Sequence, residues 1–399
     1  MKKSISILGG GTAALCLAAA LNADIFDVTI FEKKGSLARK FLVAGDGGFN
    51  LTHSENLSEF KSRYTPNGFL DTALDHFSNA DFRSWLLDLS IPTFVGSSKR
   101  IFPEKGIKPI DVLKTIEDHL VRKNVKFRFK NTFIGWDNED NLKFDSEEIV
   151  KSDYVVFALG GASWKVTGSD GQWMSLFEDK GIQTIPFKSS NCAFKIDWEE
   201  KFLQKHKGTA LKNISISINK IIQKGEVVIT EFGLEGNAIY GLSPQIQSEL
   251  TVKKDVVIHV DFKPTLERKK VLEKLSASAL NVTTTLKDVL KLNKATIDLV
   301  KITLTKEEFL DTKFLANVIK NFPLTITEAA SLDEAISTSG GIDLAAVNSN
   351  YELKSLKHQF CIGEMLDWDA PTGGYLIQAC ASMGFYLGDK LNNLESQME

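Results

Sequence analysis

Three consecutive glycines between an apolar strand and a small-residue helix constrain this chain more than any other feature. Ser4-Ile5-Ser6-Ile7-Leu8 runs directly into Gly9-Gly10-Gly11-Thr12-Ala13-Ala14, and Thr29-Ile30-Phe31-Glu32-Lys33 closes the next apolar run. The order is strand, glycine turn, helix, strand, acid. A backbone built this way can hold a dinucleotide. Gly9 permits the tight turn, and Gly11 lets the main chain approach a pyrophosphate with no Cβ in the way. Ala14, at the third position of the fingerprint, keeps the helix close to the strand. The helix N-terminus directs free N–H groups at phosphate oxygens. Glu32 lies 23 residues after Gly9, where a carboxylate can take a ribose hydroxyl.

At 399 residues the chain is long for one domain, and two or three are expected. Apolar content of 43 % and charged content of 25 % are those of a soluble globular protein. A net charge of −3 argues neither for a general nucleic-acid binder nor for a protein of anionic membrane surfaces. Cys16, Cys192, Cys361 and Cys380 stand far apart, with no CxxC pair. Neither a zinc ribbon nor a dithiol redox motif is indicated, and no metal is expected. Lys2 and Lys3 before an apolar run resemble a signal peptide, but three glycines inside that run and an immediate second strand fit the nucleotide turn better. No stretch reaches the length of a membrane span. A cytoplasmic location with reduced thiols is the expectation.

The fold class read from this order is α/β, a Rossmann-like domain interrupted by an insert. Helical patterns are expected near 69–89 and 109–123, the second opening on Pro109 and Asp111. Val125–Phe129 alternates as a strand, and Tyr154–Leu159 reads as a third buried strand ending in Gly160-Gly161. Character changes near 188. Short alternating strands follow at 214–218, 227–230 and 256–260, which suggests an antiparallel sheet or small barrel. The stretch 264–320 is lysine-rich with helical period. Residues 188–335 carry 22 Lys+Arg against 19 Asp+Glu, a small excess that solvated helix faces explain. The glycine-rich style returns near 337. The expected division is 1–188 and 336–399 for the cofactor domain, with 189–335 inserted, β-rich over 189–262 and helical over 264–320.

The second informative element lies near the C-terminus. Gln359–Glu364 reads as a buried strand ending in an acid, and Thr372-Gly373-Gly374-Tyr375 opens an apolar helix through Leu387. In a flavoprotein such a helix N-terminus faces the pyrimidine edge of the ring, where negative charge develops on reduction. Glu364 and Asp367 are the carboxylates placed to hold a ribityl hydroxyl. Gly160 and Gly161 would pass under the same cofactor. Three glycine turns at strand ends far apart in sequence suit a long cofactor, so FAD is expected rather than NAD. No second GxGxxG unit is present, and any NAD(P)H would bind transiently over the flavin.

These residues carry a family resemblance. The stretches GGGTAA (9–14), ARKFLVAGDGGFNLTHSE (38–55), GSSKRIFPEKGIKP (96–109), ALGGASWKVTGSDG (158–171), ITEFGLEGNAIYGLSP (229–244) and CIGEMLDWDAPTGGYLIQACASMG (361–384) are similar to those of the BaiN/YhiN-like flavoproteins. That family is also described as NAD(P)/FAD-dependent or aminoacetone-oxidase-like. The resemblance spans nearly the whole chain and implies a two-part FAD domain with an inserted β-barrel and helical region. It implies that Gly9, Gly11, Thr12, Ala13, Ala14, Glu32 and Lys33 bind the ADP half. Arg39, Lys40, Gly45, Asp46, Gly47 and Asn50 would approach the phosphates and ring, and the main chain at Phe133 would touch adenine. Gly363, Glu364, Gly373, Gly374 and Tyr375 would hold the ribityl and pyrimidine side. In one place the chain departs from the family. Where the family commonly reads Gly-Gly-Gly-Arg-Cys-Asn, this chain has Gly45-Asp46-Gly47-Gly48-Phe49-Asn50, which removes any role for a cysteine beside the flavin.

No residue is assigned a chemical step from sequence. His53 reads as a surface or capping histidine, Arg100 and Lys108 as solvated charges, and Cys192, Cys361 and Cys380 as small core residues. The expected activity is an FAD-dependent oxidoreductase acting on a small organic substrate, with NAD(P)H or oxygen as electron partner and the insert selecting the substrate. The alternative is a flavin-bearing RNA-modifying protein whose lysine-rich insert, for example Lys253-Lys254 and Arg268-Lys269-Lys270, contacts RNA. A flavin-binding sensor without turnover is a third reading. Sequence leaves the oligomeric state open.

Overall fold

The computed structural model describes residues 1–43 and 49–397. The chain divides into two compact units, Met1–Lys188 with Ile336–Glu399, and Ser189–Ala335. The first unit is built on a five-stranded parallel sheet in the order 359–361, 154–157, 3–8, 26–32, 126–129. Strand Lys3–Leu8 sits in the middle. Its next strand in sequence, Phe26–Glu32, pairs on one side, and Tyr154–Phe157 pairs on the other. The chain therefore reverses its direction of growth at the C-terminal end of the first strand, the place where open α/β sheets leave a crevice for a ligand.

Helix Thr12–Ala20 is apolar all round, and Ala13 to Ala19 are all buried. A helix of that composition has to be covered on every face. One cover is the long C-terminal helix, Tyr375–Ser396, which continues nine residues past the expected end at Leu387. Gly384 and Gly388, one turn apart, meet the first helix closely: a Cβ on Gly384 would lie 2.7 Å from the Leu17 nitrogen, and one on Gly388 2.5 Å from Ala20 Cβ. Small residues let the two helix axes approach, and both helices start at the same end of the sheet.

Local chemistry explains the remaining first-unit helices. The pattern near 69–89 is two helices, Asp71–His76 and Asn79–Asp88. Ser78 interrupts it as an N-cap, with Asp81 completing a reciprocal capping box. Helix Pro109–Arg122 starts at its proline, and the Lys108 N–H donates to Asp111 at 2.8 Å. Two small antiparallel sheets, 52–53 with 93–95 and 100–103, and 133–136 with 142–144 and 149–150, complete this unit. The last strand of the parallel sheet stops at Cys361 rather than Glu364, because Gly363 turns the chain with φ +84°.

The second unit holds a six-stranded antiparallel sheet in the order 194–195, 233–235, 221–229, 210–218, 256–261, 322–326. Its central hairpin turns through Asn219 and Lys220, both with positive φ, as a tight two-residue turn requires. The edges return to each other. Lys195 N donates to Glu328 O at 2.8 Å, Ala330 N to Ala193 O at 2.9 Å, and Thr327 N to Lys195 O at 3.2 Å. These bonds close the sheet into a small barrel. The sequence boundaries within the insert need two corrections. Helices Glu200–His206, Asn237–Tyr240 and Ser243–Leu250 interrupt the β-rich stretch. Strand Phe322–Ile326 follows the helical stretch and pairs with Val256–Val260. Five residues carry too short an alternation to stand out after the helical period of 264–320.

Candidate cofactor site

The first glycine turn is shaped by what surrounds it. Gly9 has φ +95°, and a Cβ there would overlap the Ala158 carbonyl of the neighbouring strand. Gly11 caps helix Thr12–Ala20 with no side-chain hydrogen bond, and no heavy atom lies within 4 Å of where its Cβ would be. The first-turn N–H groups, with Thr12 and Ala13 leading, therefore face open space without a capping side chain. Anionic oxygen is the natural partner of such a terminus. Ala14 is fully buried against the sheet. Glu32 ends the second strand and accepts from the Gly10 N–H at 2.8 Å and the Lys34 N–H at 2.7 Å. Both bonds fix its carboxylate beside the turn and leave lone pairs for a hydroxyl donor. Lys33 is committed to Asp170, at 2.8 Å.

A second cluster joins four distant segments. The Lys40 ammonium donates to Ser163 Oγ at 2.6 Å and to both oxygens of Glu364, at 2.9 and 3.1 Å. Glu364 also accepts from the Thr338 N–H at 3.2 Å. Gly160 turns with φ +75°, and its carbonyl accepts the Trp173 indole N–H. A Cβ on Gly161 would overlap the Thr338 hydroxyl. Gly363 approaches the first helix so closely that its Cβ would lie 3.0 Å from that of Ala13. Asp367 is bound to the Gly340 N–H at 2.8 Å, so its carboxylate braces the 337–342 strand. The Arg39 guanidinium reaches the Val166 carbonyl at 3.2 Å.

The third element is the start of the C-terminal helix. Gly373 and Gly374, preceded by Thr372, have φ of +121° and +100°. A Cβ on Gly374 would fall 2.5 Å from Thr52 Cα, so the helix can begin there only with glycine. Arg100 packs over Gly373. Tyr375 is buried, and its phenol donates to Glu55 at 2.6 Å. What Tyr375 offers a ligand is its backbone N–H, because the ring points into the protein. Phe133 likewise puts its ring in the core, against Trp136 and Phe157, which leaves only its main chain for a ligand. Asn50 lies next to buried Phe49 and Leu51. Gly45, Asp46 and Gly47 lie outside the described residues.

Sequence reasoning missed the support beneath this helix start. Glu55 is buried and receives two hydrogen bonds from Arg63, at 3.0 and 2.8 Å, in addition to the Tyr375 phenol. Burial alone pushes the Glu55 carboxyl up, but the hydrogen bonds from Arg63 and Tyr375 outweigh it and hold the carboxyl below its usual range. Burial, then the bond to Glu55, drive the Tyr375 phenol far above its usual range. His53 stacks on Tyr375 with ring centroids 5.3 Å apart. Its Nδ1 accepts from the Glu55 N–H, and its Nε2 lies 3.2 Å from the Ser98 carbonyl. Burial chiefly, opposed by the Glu55 carboxylate, lowers its pKa. His53 is a neutral, fully engaged histidine with a positioning part. Lys108 caps its helix. The Cys361 and Cys380 thiols are raised by burial, Cys380 to about 12, which removes them as nucleophiles at neutral pH.

The arrangement fits a flavin dinucleotide on three counts. Two helices, Thr12–Ala20 and Tyr375–Ser396, start at glycines with no side-chain cap on their first N–H groups. A carboxylate, Glu32, is fixed beside the first glycine turn by the Gly10 and Lys34 N–H groups. Among the described residues, the buried Nε of Arg39 and indole nitrogen of Trp164 find no hydrogen-bond partner, as expected of donors reserved for a ligand.

Comparison with known proteins agrees. The family model described as the HI0933-like protein Rossmann domain matches residues 3–390. A 3-dehydro-bile acid delta(4,6)-reductase of Clostridium scindens is 24 % identical, covering 96 % of this chain and 98 % of its own. A ribosomal RNA dihydrouridine synthase of Haemophilus influenzae is 25 % identical, covering 93 % of this chain and 94 % of its own. Among solved structures, an open-conformation flavocytochrome c3 fumarate reductase superposes with a TM-score of 0.51 at 12 % identity, over 98 % of this chain and 78 % of that one. A 3-ketosteroid-delta4-(5alpha)-dehydrogenase from Rhodococcus jostii RHA1 superposes with a TM-score of 0.50 at 12 % identity, over 97 % and 96 %. At that identity the two structures speak for the fold. No helix among the described residues is long and apolar enough to cross a membrane.

Proposed function

Because the chain belongs to the HI0933-like Rossmann family, a family of FAD-dependent oxidoreductases, we propose that it reduces a carbon–carbon double bond conjugated to a carbonyl in a small organic substrate, with NAD(P)H as the electron donor. The observation that carries the flavin site is the meeting of three glycine turns, at Gly9–Gly11, Gly160–Gly161 and Gly363, at the C-terminal ends of three adjacent parallel strands. The reaction class rests on the relatives. Both of their names describe hydrogen added across a double bond conjugated to a carbonyl, in a 3-dehydro-bile acid in one and in uridine in the other.

In this reading each group has a stated task. The N–H groups after Gly11 take the pyrophosphate, and Glu32 accepts a ribose hydroxyl. Lys40 holds Glu364 in place, and Glu364 accepts from the ribityl chain. The start of helix Tyr375–Ser396 sets its positive end at the pyrimidine edge, a stabilisation of roughly 0.3–1 kcal/mol for a developing negative charge. The chemistry FAD supplies when bound is two-electron hydride transfer. Four reduced cysteines suit a cytoplasmic enzyme.

The test is a visible spectrum of the purified protein, then anaerobic NADH and NADPH, then a steroid-type enone. Bleaching by a nicotinamide followed by enone-dependent recovery supports the reading. A protein that takes up no FAD refutes it. A second reading places the same reduction on a uracil ring within RNA, because one relative is so named. Of the basic residues that would contact RNA, Lys253 and Lys270 are each paired with an acid, which reduces the charge they offer. Salt-dependent RNA affinity would restore that reading.

A further inference from the structure

Trp164 has so far been placed only as a buried donor without a partner among the described residues. It follows Ser163, the partner of Lys40, at the start of a short turn over Lys165–Thr167. Its backbone is left-handed, with φ +63° and ψ +65°, a conformation a bulky non-glycine residue adopts only when its surroundings impose it. Two bonds to its carbonyl hold the turn, from the Thr167 N–H at 2.9 Å and the Thr167 hydroxyl at 2.7 Å. The indole nitrogen is buried and, among the described residues, unpartnered. The second buried orphan in this unit is Arg39 Nε, and the same guanidinium reaches Val166, two residues beyond Trp164. Two donor-only groups thus converge on one turn. An indole N–H and a guanidinium N–H can be satisfied only by an acceptor.

We propose that Trp164 is a cofactor-binding residue whose indole N–H, beside Arg39, donates to an acceptor on FAD. Its loop meets the site at two places: Ser163 joins the Lys40–Glu364 pair, and Gly168 and Asp170 meet Lys34 and Lys33 at the end of the second strand. The proposal rests on the flavoprotein reading above and adds a named donor to it. The imposed backbone then has a purpose, which is to aim one ring nitrogen into the site.

The test compares wild type with Trp164→Phe, which keeps an aromatic ring and loses the N–H. FAD affinity of each apoprotein is measured by titration, alongside its melting temperature. The expected result is a rise of about tenfold in the FAD dissociation constant, equivalent to about 1.4 kcal/mol, with the apoprotein melting temperature unchanged. Unchanged FAD affinity overturns the proposal. A lowered apoprotein melting temperature that accounts for the loss also overturns it, because it marks general loosening. If Trp164→Phe does not fold, benzothienylalanine at 164, which replaces the N–H by sulfur at nearly constant shape, decides the question by the same affinities. Wild type that binds no FAD refutes the flavoprotein reading itself, whereas wild type and variant binding FAD alike refutes only the part given to Trp164.

Discussion

Gly384→Ala sets two physical effects against each other. In an isolated helix the change stabilises by about 1 kcal/mol, because glycine is the poorer helix former. In this protein the added Cβ would lie 2.7 Å from the Leu17 nitrogen, 2.8 Å from the Ala13 carbonyl oxygen and 3.0 Å from Cys16 Cβ. Two of the three are backbone atoms of a helix buried all round, so no side chain can swing away. Forced overpacking of that kind costs about 3 kcal/mol, the upper part of its usual range. The clash wins, and a net destabilisation of about 2 kcal/mol is expected. For a unit of this size that corresponds to a fall in melting temperature of roughly 4–8 °C. The displaced helix is the one that begins at Gly374, so FAD affinity should fall as well. Thermal unfolding of the apoprotein, followed by FAD titration, reads both. A melting temperature that is unchanged or higher would show that propensity dominates and that the close helix contact is wrong.

Gly11→Ala tests the open approach to the first turn. Its φ of −83° suits alanine and nothing lies near the new Cβ, so apoprotein stability should hold while FAD affinity drops at least about tenfold, or about 1.4 kcal/mol; unaltered affinity would place the pyrophosphate elsewhere. Glu55→Gln leaves the buried ends of the Arg63 and Tyr375 bonds with a neutral partner, and a loss of about 2 kcal/mol is expected by denaturant unfolding. The same carboxyl, held low in the folded state, stabilises above its unfolded pKa. That contribution is lost as pH falls through the folded value, so the acid limb of the stability profile should flatten in Glu55→Gln. His53, whose pKa is also lowered by folding, contributes stability that declines as pH drops below the ordinary 6.5. His53→Asn should remove that slope, and an unchanged slope below neutrality would assign it to another group. Glu364→Gln loses its charge pairing with Lys40 and should weaken FAD binding several-fold in the same titration, with ADP unaffected.

Much of this protein was decided locally, and local decisions can be read in sequence. The first strand, the glycine turn, the alanine-rich helix and the strand ending at Glu32 follow from a period of two, a period near 3.6 and the steric freedom of glycine. The capping box at Ser78 is equally local, although the longer helical period around it hid the break. The change of style at residue 188 was visible as alternating β-branched residues, whereas strand Phe322–Ile326 was too short to register. Tertiary structure decided which distant groups meet. Lys40 finds Glu364 across 324 positions, and Tyr375 finds Glu55 across 320. Both meetings depend on the order of strands in the parallel sheet and on the contact of the first and last helices. Neither order nor contact leaves a periodic trace in the chain. Glu55, Arg63 and Trp164 escaped notice for the same reason. The sequence set each residue's chemistry, and only the packed chain decided whether a carboxylate would be neutralised by an arginine or an indole N–H left facing a ligand.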